Sequence, residues 1–247
     1  MVMKLIIIIL AKLGISSAQN LVGVMYDEGL VVPQDYVKAA IWYKLAALKG
    51  NAGSQVNLGV AYLLGMGVSK DYVKAASWFE LAVKQGNPTG QFFLGYLYLK
   101  GIGVSQDKIK ALNLFRLAAK QGHPDAQNSF GLRLFNGEGI KQDYFEAAEW
   151  FRLAGKQGHP DAQNSLGVMY LKGLGVEVDY LEGAKWLRLA ANQGYPPAQF
   201  NLGKIYLQGL GVPKDKIVAE SWIKLAKENE LEKPHETSSI PGAELII

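Results

Sequence analysis

Apolar and polar positions recur along this chain with a period of 36 residues. A shift of that length aligns six units, beginning at Ala18, Ser54, Gly90, Ala126, Ala162 and Ala198, with no gap. Within Ala162–Gly173, AQNSLGVMYLKG, the apolar residues Ala162, Leu166 and Tyr170 fall at i, i+4 and i+8. That spacing predicts an amphipathic helix. Gly173-Leu174-Gly175 ends it, because Gly adopts the positive φ that other residues resist. A second helix is predicted from Asp179, an N-cap, with Glu182 three residues on in a capping-box pattern; Asp143 and Glu146 repeat the pattern one unit earlier. Ala184, Leu187, Ala190 and Ala191 continue its apolar face around Trp186, and Gly194 stops it.

The register fixes which residue types recur. A glycine returns at Gly23, Gly59, Gly95, Gly131, Gly167 and Gly203, in mid-helix, where it costs about 1 kcal/mol relative to Ala. Its persistence predicts close approach of another backbone. All five tryptophans share one position, Trp42, Trp78, Trp150, Trp186 and Trp222, and Leu114 fills the remaining slot. Their helical spacing assigns them to core packing. Leu134 replaces a recurring Tyr, and Phe130 and Phe135 stand where most units have Leu; these changes read as volume compensation at one seam beside Leu114.

The segment KQGHPDAQNS occurs at Lys120–Ser129 and again at Lys156–Ser165. It reads as a joint: Gly122 stops a helix, Pro124 opens the next, and Asp125 places negative charge at the new N-terminus. The pattern LGVMYLKGLGVEVDYLEGAKWLRLAANQG (Leu166–Gly194) resembles a Sel1-like repeat, a relative of the tetratricopeptide repeat. The resemblance covers most of the chain. It implies an all-α fold, a right-handed α-solenoid of six 36-residue helix pairs, and a non-enzymatic role in binding other proteins. The chain is thereby divided into repeats over residues 18–232 and a flexible tail over 233–247.

Residues 1–17 have two readings. Lys4, the apolar run from Leu5 and the small residues Ser16-Ser17-Ala18 resemble a secretory signal, which would direct the chain to the periplasm or outside the cell. In register, however, Ala11–Gly14 aligns with Ala119–Gly122, so the same segment could be the remnant of a capping helix on a cytoplasmic protein. The apolar run is too short to span a bilayer, which needs about 20 residues. No integral membrane segment is expected.

Composition narrows the chemistry. The chain has no cysteine, which removes disulfides and thiolate–zinc sites. Its net charge of +4 is spread out rather than clustered, so nucleic acid is not an expected partner. His123 and His159 occupy a turn position held elsewhere by Asn51, Asn87 and Tyr195, and lie too far apart to share one metal ion. Asp125 and Asp161 accompany those turns. Gly101-Ile102-Gly103 follows a helix rather than a strand, so it reads as a turn and not a phosphate loop. Ser105/Lys108 and Ser221/Lys224 have the S-x-x-K spacing of penicillin-recognising enzymes but lack the partner motifs. A hydrolase acting on cell-wall or β-lactam-like substrates is the alternative they would support. No catalytic residue, cofactor, metal or small-molecule substrate is assigned.

The expected function is binding of a protein or peptide along the first-helix face. The third, fourth, seventh and eleventh positions of each unit lie opposite the packed side. They include Val56, Val60 and Leu64; Phe92, Phe93, Tyr96 and Lys100; and Phe200, Asn201, Lys204 and Gln208. By contrast, Arg116, Arg152, Arg188 and Lys224 on the second helices read as a solvated outer face.

Overall fold

The computed structural model describes residues 2–231, and the tail assigned to 233–247 lies outside them. The described residues form helices, turns and loops and no strand. After α1 (Val2–Lys12), the first helices of the repeats are α2 (Ser16–Glu28), α4 (Ala52–Leu64), α6 (Pro88–Lys100), α8 (Pro124–Asn136), α10 (Pro160–Lys172) and α12 (Pro196–Gln208). The second helices are α3 (Tyr36–Ala47), α5 (Tyr72–Lys84), α7 (Lys108–Lys120), α9 (Tyr144–Lys156), α11 (Tyr180–Asn192) and α13 (Lys216–Leu231). The chain falls into two compact units, Met1–Ala118 and Ala119–Ile247. Within each, a helix packs chiefly on its neighbours in sequence, which is the all-α solenoid arrangement.

Local chemistry sets the helix ends as the sequence implies. Asp35, Asp71, Asp107, Asp143, Asp179 and Asp215 each accept a hydrogen bond from the backbone N–H three residues on. The reciprocal half of the capping box is absent, because the glutamates are engaged elsewhere. Glu146 accepts from Trp150 Nε1 at 3.2 Å, and Glu182 pairs with Lys185 at 3.0 Å.

The mid-helix glycines admit a neighbouring side chain as well as the backbone expected. A Cβ on Gly23, Gly59, Gly95 or Gly131 would meet the ring of Tyr43, Phe79, Phe115 or Phe151 at 2.5–3.0 Å. In these repeats an aromatic ring lies against the first helix, and the glycine makes room for it. A second-helix backbone also approaches in three repeats: the carbonyl oxygens of Ala111, Gly183 and Ala219 would lie 3.3, 3.0 and 2.9 Å from a Cβ on Gly95, Gly167 and Gly203. In the last two repeats Leu187 and Ile223 replace the ring.

The tryptophans pack on the core from its edge, Trp42, Trp78 and Trp222 among them. Trp42, Trp78, Trp150, Trp186 and Trp222 are half-buried. The residue after Trp42, Trp78, Leu114, Trp150 and Trp186 is the deeper one; Phe79, Phe151 and Leu187 are fully buried. Phe130 packs edge-on to Trp150, and Phe135 packs on Tyr144 and Phe151, so both enlarged residues are accommodated within their own repeat.

The second glycine of four of the G-x-G turns locks adjacent repeats together. A Cβ on Gly67, Gly103, Gly175 or Gly211 would come within 2.0–2.4 Å of the backbone of Tyr36, Tyr72, Tyr144 or Tyr180, at the start of the preceding second helix. These turns are therefore structural. In the first repeat the slot holds Val31 at φ 58°.

Candidate functional site

The joints between repeats contain most of the polar chemistry. His123 and His159 are N-caps: their Nδ1 atoms accept long hydrogen bonds from the Ala126 and Ala162 N–H groups, at 3.4 and 3.3 Å. Asn51 and Asn87 do the same at their joints. Accepting through Nδ1 leaves the proton on Nε2, and His159 Nε2 stands 3.4 Å from Asp125 Oδ1. Tyr195 makes no cap, and its hydroxyl donates instead to Asp161. The histidines thus hold turns, as expected, and no cluster among the described residues could hold a metal ion.

These joints should be sensitive to acid. Burial, partly offset by Asp125, holds the His123 pKa below its usual 6.5. The hydrogen bond from His159 lowers that of Asp125. A histidine whose folded pKa is depressed contributes stability that is fully present above the unfolded value and is lost as pH falls from about 6.5 toward the folded value. The melting temperature should therefore fall between pH 7 and pH 5. His123→Asn, which borrows the cap used at Asn51 and Asn87, should flatten that slope; an unchanged slope would contradict the assignment.

A buried glutamine ladder runs through the joints, and the joint reading above does not account for it. Gln19, Gln55, Gln91, Gln127, Gln163 and Gln199 occupy the second position of every unit, and all are buried. Gln163 Nε2 donates to the Gly155 carbonyl at 2.9 Å, and Gln193 Nε2 donates to Gln163 Oε1 at 2.7 Å. Gln127 with Gln157, and Gln55 with Gln85, are arranged alike. In the first repeat the outer partner is Lys49, which donates to the Gly14 carbonyl and leaves Gln19 Oε1 buried without a hydrogen bond. Gln157 reaches both the Gly122 carbonyl and Gln127 Oε1. Lys49→Gln should therefore satisfy both acceptors and stabilise the chain by about 1 kcal/mol in denaturant titration.

Arg133 also departs from the repeat pattern. It is buried at a position held elsewhere by Met25, Ala61, Leu97, Met169 and Ile205, and it forms an ion pair with Glu138. The departure was visible in the register as one charge in an apolar column.

The residues expected to meet a partner divide by depth. Val56, Phe92 and Asn201 are buried; Val60, Phe93, Tyr96 and Lys204 are half-buried; Leu64, Lys100, Phe200 and Gln208 are exposed. Phe92 packs among Phe93 and Phe115, and Phe93 stacks on Phe79 at 5.2 Å. Asn201, Lys204 and Gln208 come together in a cleft of about 320 Å³ between α10 and α12. Val168, Leu171, Ile205 and Leu210 supply its apolar walls, and Lys172 stands at its rim. Asn201 is anchored there by a 2.9 Å hydrogen bond to Asn164. Lys204 Nζ lies 4.7 Å from the centre of the Phe200 ring.

The serine–lysine spacings gain no support from geometry. Ser221 Oγ donates to the Ile217 carbonyl at 2.9 Å, and Lys224 Nζ lies 3.7 Å from Glu228. Ser105 is exposed in the loop before α7.

The repeat signature recurs six times over matching helix pairs. The Sel1 repeat family model matches residues 16–51, 52–87, 88–123, 124–159, 160–195 and 196–230. The chain belongs to the Sel1 repeat family. The family's frame begins two residues ahead of the Ala18 frame, at the helix starts seen in the structure. Among solved structures, the chain is similar to c5321, a protective antigen of uropathogenic Escherichia coli with an SLR fold, at 38% identity and a TM-score of 0.77. The match covers 88% of this chain and 47% of that one, so the chain spans about half the length of that relative. A Sel1 repeat protein from Oxalobacter formigenes aligns at 34% identity and a TM-score of 0.77, covering 86% of this chain and 85% of its own. Immunity protein Pa5087 from Pseudomonas aeruginosa shares the fold at 19% identity and a TM-score of 0.55, over 88% of this chain and 83% of its own. No curated protein matches the chain. Sel1 repeat proteins are in general protein-interaction scaffolds.

Proposed function

We propose that this Sel1 repeat chain is a non-enzymatic scaffold that binds a peptide or protein along its first-helix face. The observation that supports this most is the cleft between α10 and α12, where apolar walls meet Asn201, Lys204 and Gln208. Apolar walls with a few polar groups at the mouth suit an inserted side chain whose flanking backbone is fixed by hydrogen bonds. The packing positions recur from repeat to repeat, while the positions on this face differ. A constant frame with a variable surface fits recognition of one partner.

Affinity capture from the native source tests the reading when wild type is compared with Leu64→Glu/Phe200→Glu. Both side chains are exposed, so the fold should persist. Phe92 is unsuitable for this purpose, since its truncation would open the core. A partner retained by wild type and lost from the double variant is the expected result. Equal recovery by both would overturn the assignment.

A further inference from the structure

The second helices of the first unit present a surface that the first-helix reading does not use. On α3 and its C-cap, Val37, Ile41, Leu45 and Leu48 follow one another at i, i+4, i+8 and i+11, and are 57, 54, 41 and 67% exposed. Residues at that spacing share one helix face. The pattern continues in the next two repeats, where Val73 and Leu81 on α5, and Ile109 and Leu117 on α7, are exposed at the registers of Val37 and Leu45. Each of these exposed positions is aliphatic.

Charge separates this surface from its counterpart in the second unit. Between Tyr36 and Ala118, α3, α5 and α7 carry seven Lys or Arg and a single acid, Glu80. Two of the lysines, Lys38 and Lys74, are held by the cap carboxylates of Asp35 and Asp71. Lys44, Lys84, Lys108 and Arg116 form no ion pair among the described residues, and Lys110 bonds to the Tyr98 hydroxyl. The second unit exposes equivalent apolar residues, including Phe145, Leu153, Leu181 and Leu189, but α9, α11 and α13 mix their cations with six glutamates. No helix is long and apolar enough to cross a membrane among the described residues.

We infer that the α3–α5–α7 face of the first unit docks on an anionic lipid surface. Aliphatic side chains would enter the headgroup boundary while the flanking cations meet lipid phosphates, as in interfacial amphipathic helices. Tyr36 and Tyr72, exposed at the starts of α3 and α5, combine an apolar ring with a polar tip suited to the same boundary. The second unit, with comparable apolar exposure but a near-balanced charge, serves as the internal control.

The full chain should be tested by flotation with two kinds of vesicle: phosphatidylcholine alone, and phosphatidylcholine with phosphatidylglycerol. Binding to the anionic vesicles, weakened by salt, is expected, with little binding to the neutral ones. Val37→Gln/Ile41→Gln/Leu45→Gln should reduce it at least tenfold, and Leu153→Gln/Leu189→Gln should leave it unchanged. Melting curves would verify that each variant folds. A third variant, Leu5→Gln/Ile9→Gln, separates the exposed apolar residues of α1 from the proposed face. No binding to anionic vesicles, equal losses in the α3 and control variants, or loss in the α1 variant alone would each overturn the inference.

Discussion

Gly175→Ala should unfold or severely weaken the second unit, costing about 3–5 kcal/mol, whereas Gly158→Ala should cost only about 1–2 kcal/mol. Both glycines have positive φ, at 67 and 92°. They differ in what surrounds them. A Cβ on Gly158 would find nothing within 4 Å, but one on Gly175 would stand 2.2 Å from the carbonyl carbon of Tyr144. Backbone strain is common to the pair, so the difference isolates the contact between consecutive repeats. Denaturant titration of the two variants measures it. Equal destabilisation would mean that the turn tolerates the methyl group and that neighbouring repeats are not locked there.

Gln163→Glu is the second large effect. The substitution is nearly isosteric, so no cavity opens. At neutral pH it places a carboxylate, which only accepts, against the Gly155 carbonyl, which also only accepts. The burial of the charge should cost about 3–5 kcal/mol, despite the remaining hydrogen bond from Gln193. The folded pKa of the new carboxyl is raised by burial, so its destabilising effect is present at high pH and declines as pH falls and the group protonates. The protonated acid can again donate to Gly155. A melting temperature that is low at pH 8 and recovers relative to wild type at pH 5 is expected. A variant as stable as wild type at pH 8 would show that the ladder is not a structural element.

Much of this architecture could be read from the sequence because repetition exposes it. The caps at Asp35, Asp71, Asp107, Asp143, Asp179 and Asp215, the helix stops and the joint around Gly122–Asp125 depend on local backbone preferences, which a sequence states directly. The depth of a side chain depends on its neighbours, which the pattern does not show. Tryptophan is the largest recurring residue, yet in three repeats the ring beside it, Tyr43, Phe79 or Phe151, faces the glycine and lies deeper. The distinction turns on an angle of one residue around the helix, too fine for periodicity alone to resolve. The glutamine ladder was present in all six units but is polar, and polar residues are set aside when apolar faces are sought. Its role appears only once two helices bring donor and acceptor together.

The candidate surface was legible to the same degree. Register placed Asn201, Lys204 and Gln208 on one face, and they line one cleft. It also placed Phe92 there, where the neighbouring rings of Phe93 and Phe115 bury it. A wheel drawn for one helix omits the adjoining helices. For that reason it could not distinguish the floor of the surface from its rim, nor show that the second helices expose apolar residues of their own.

Hydroxyl-radical footprinting of the purified chain with its captured partner, in the absence of lipid, tests the central claim most directly. The account predicts that Leu64, Phe200 and Leu207 on the first helices, all exposed in the free chain, become protected, while Leu153 and Leu189 on the second helices stay reactive. Protection confined to Leu153, Leu189 and their second-helix neighbours, with Leu64, Phe200 and Leu207 unchanged, would contradict it.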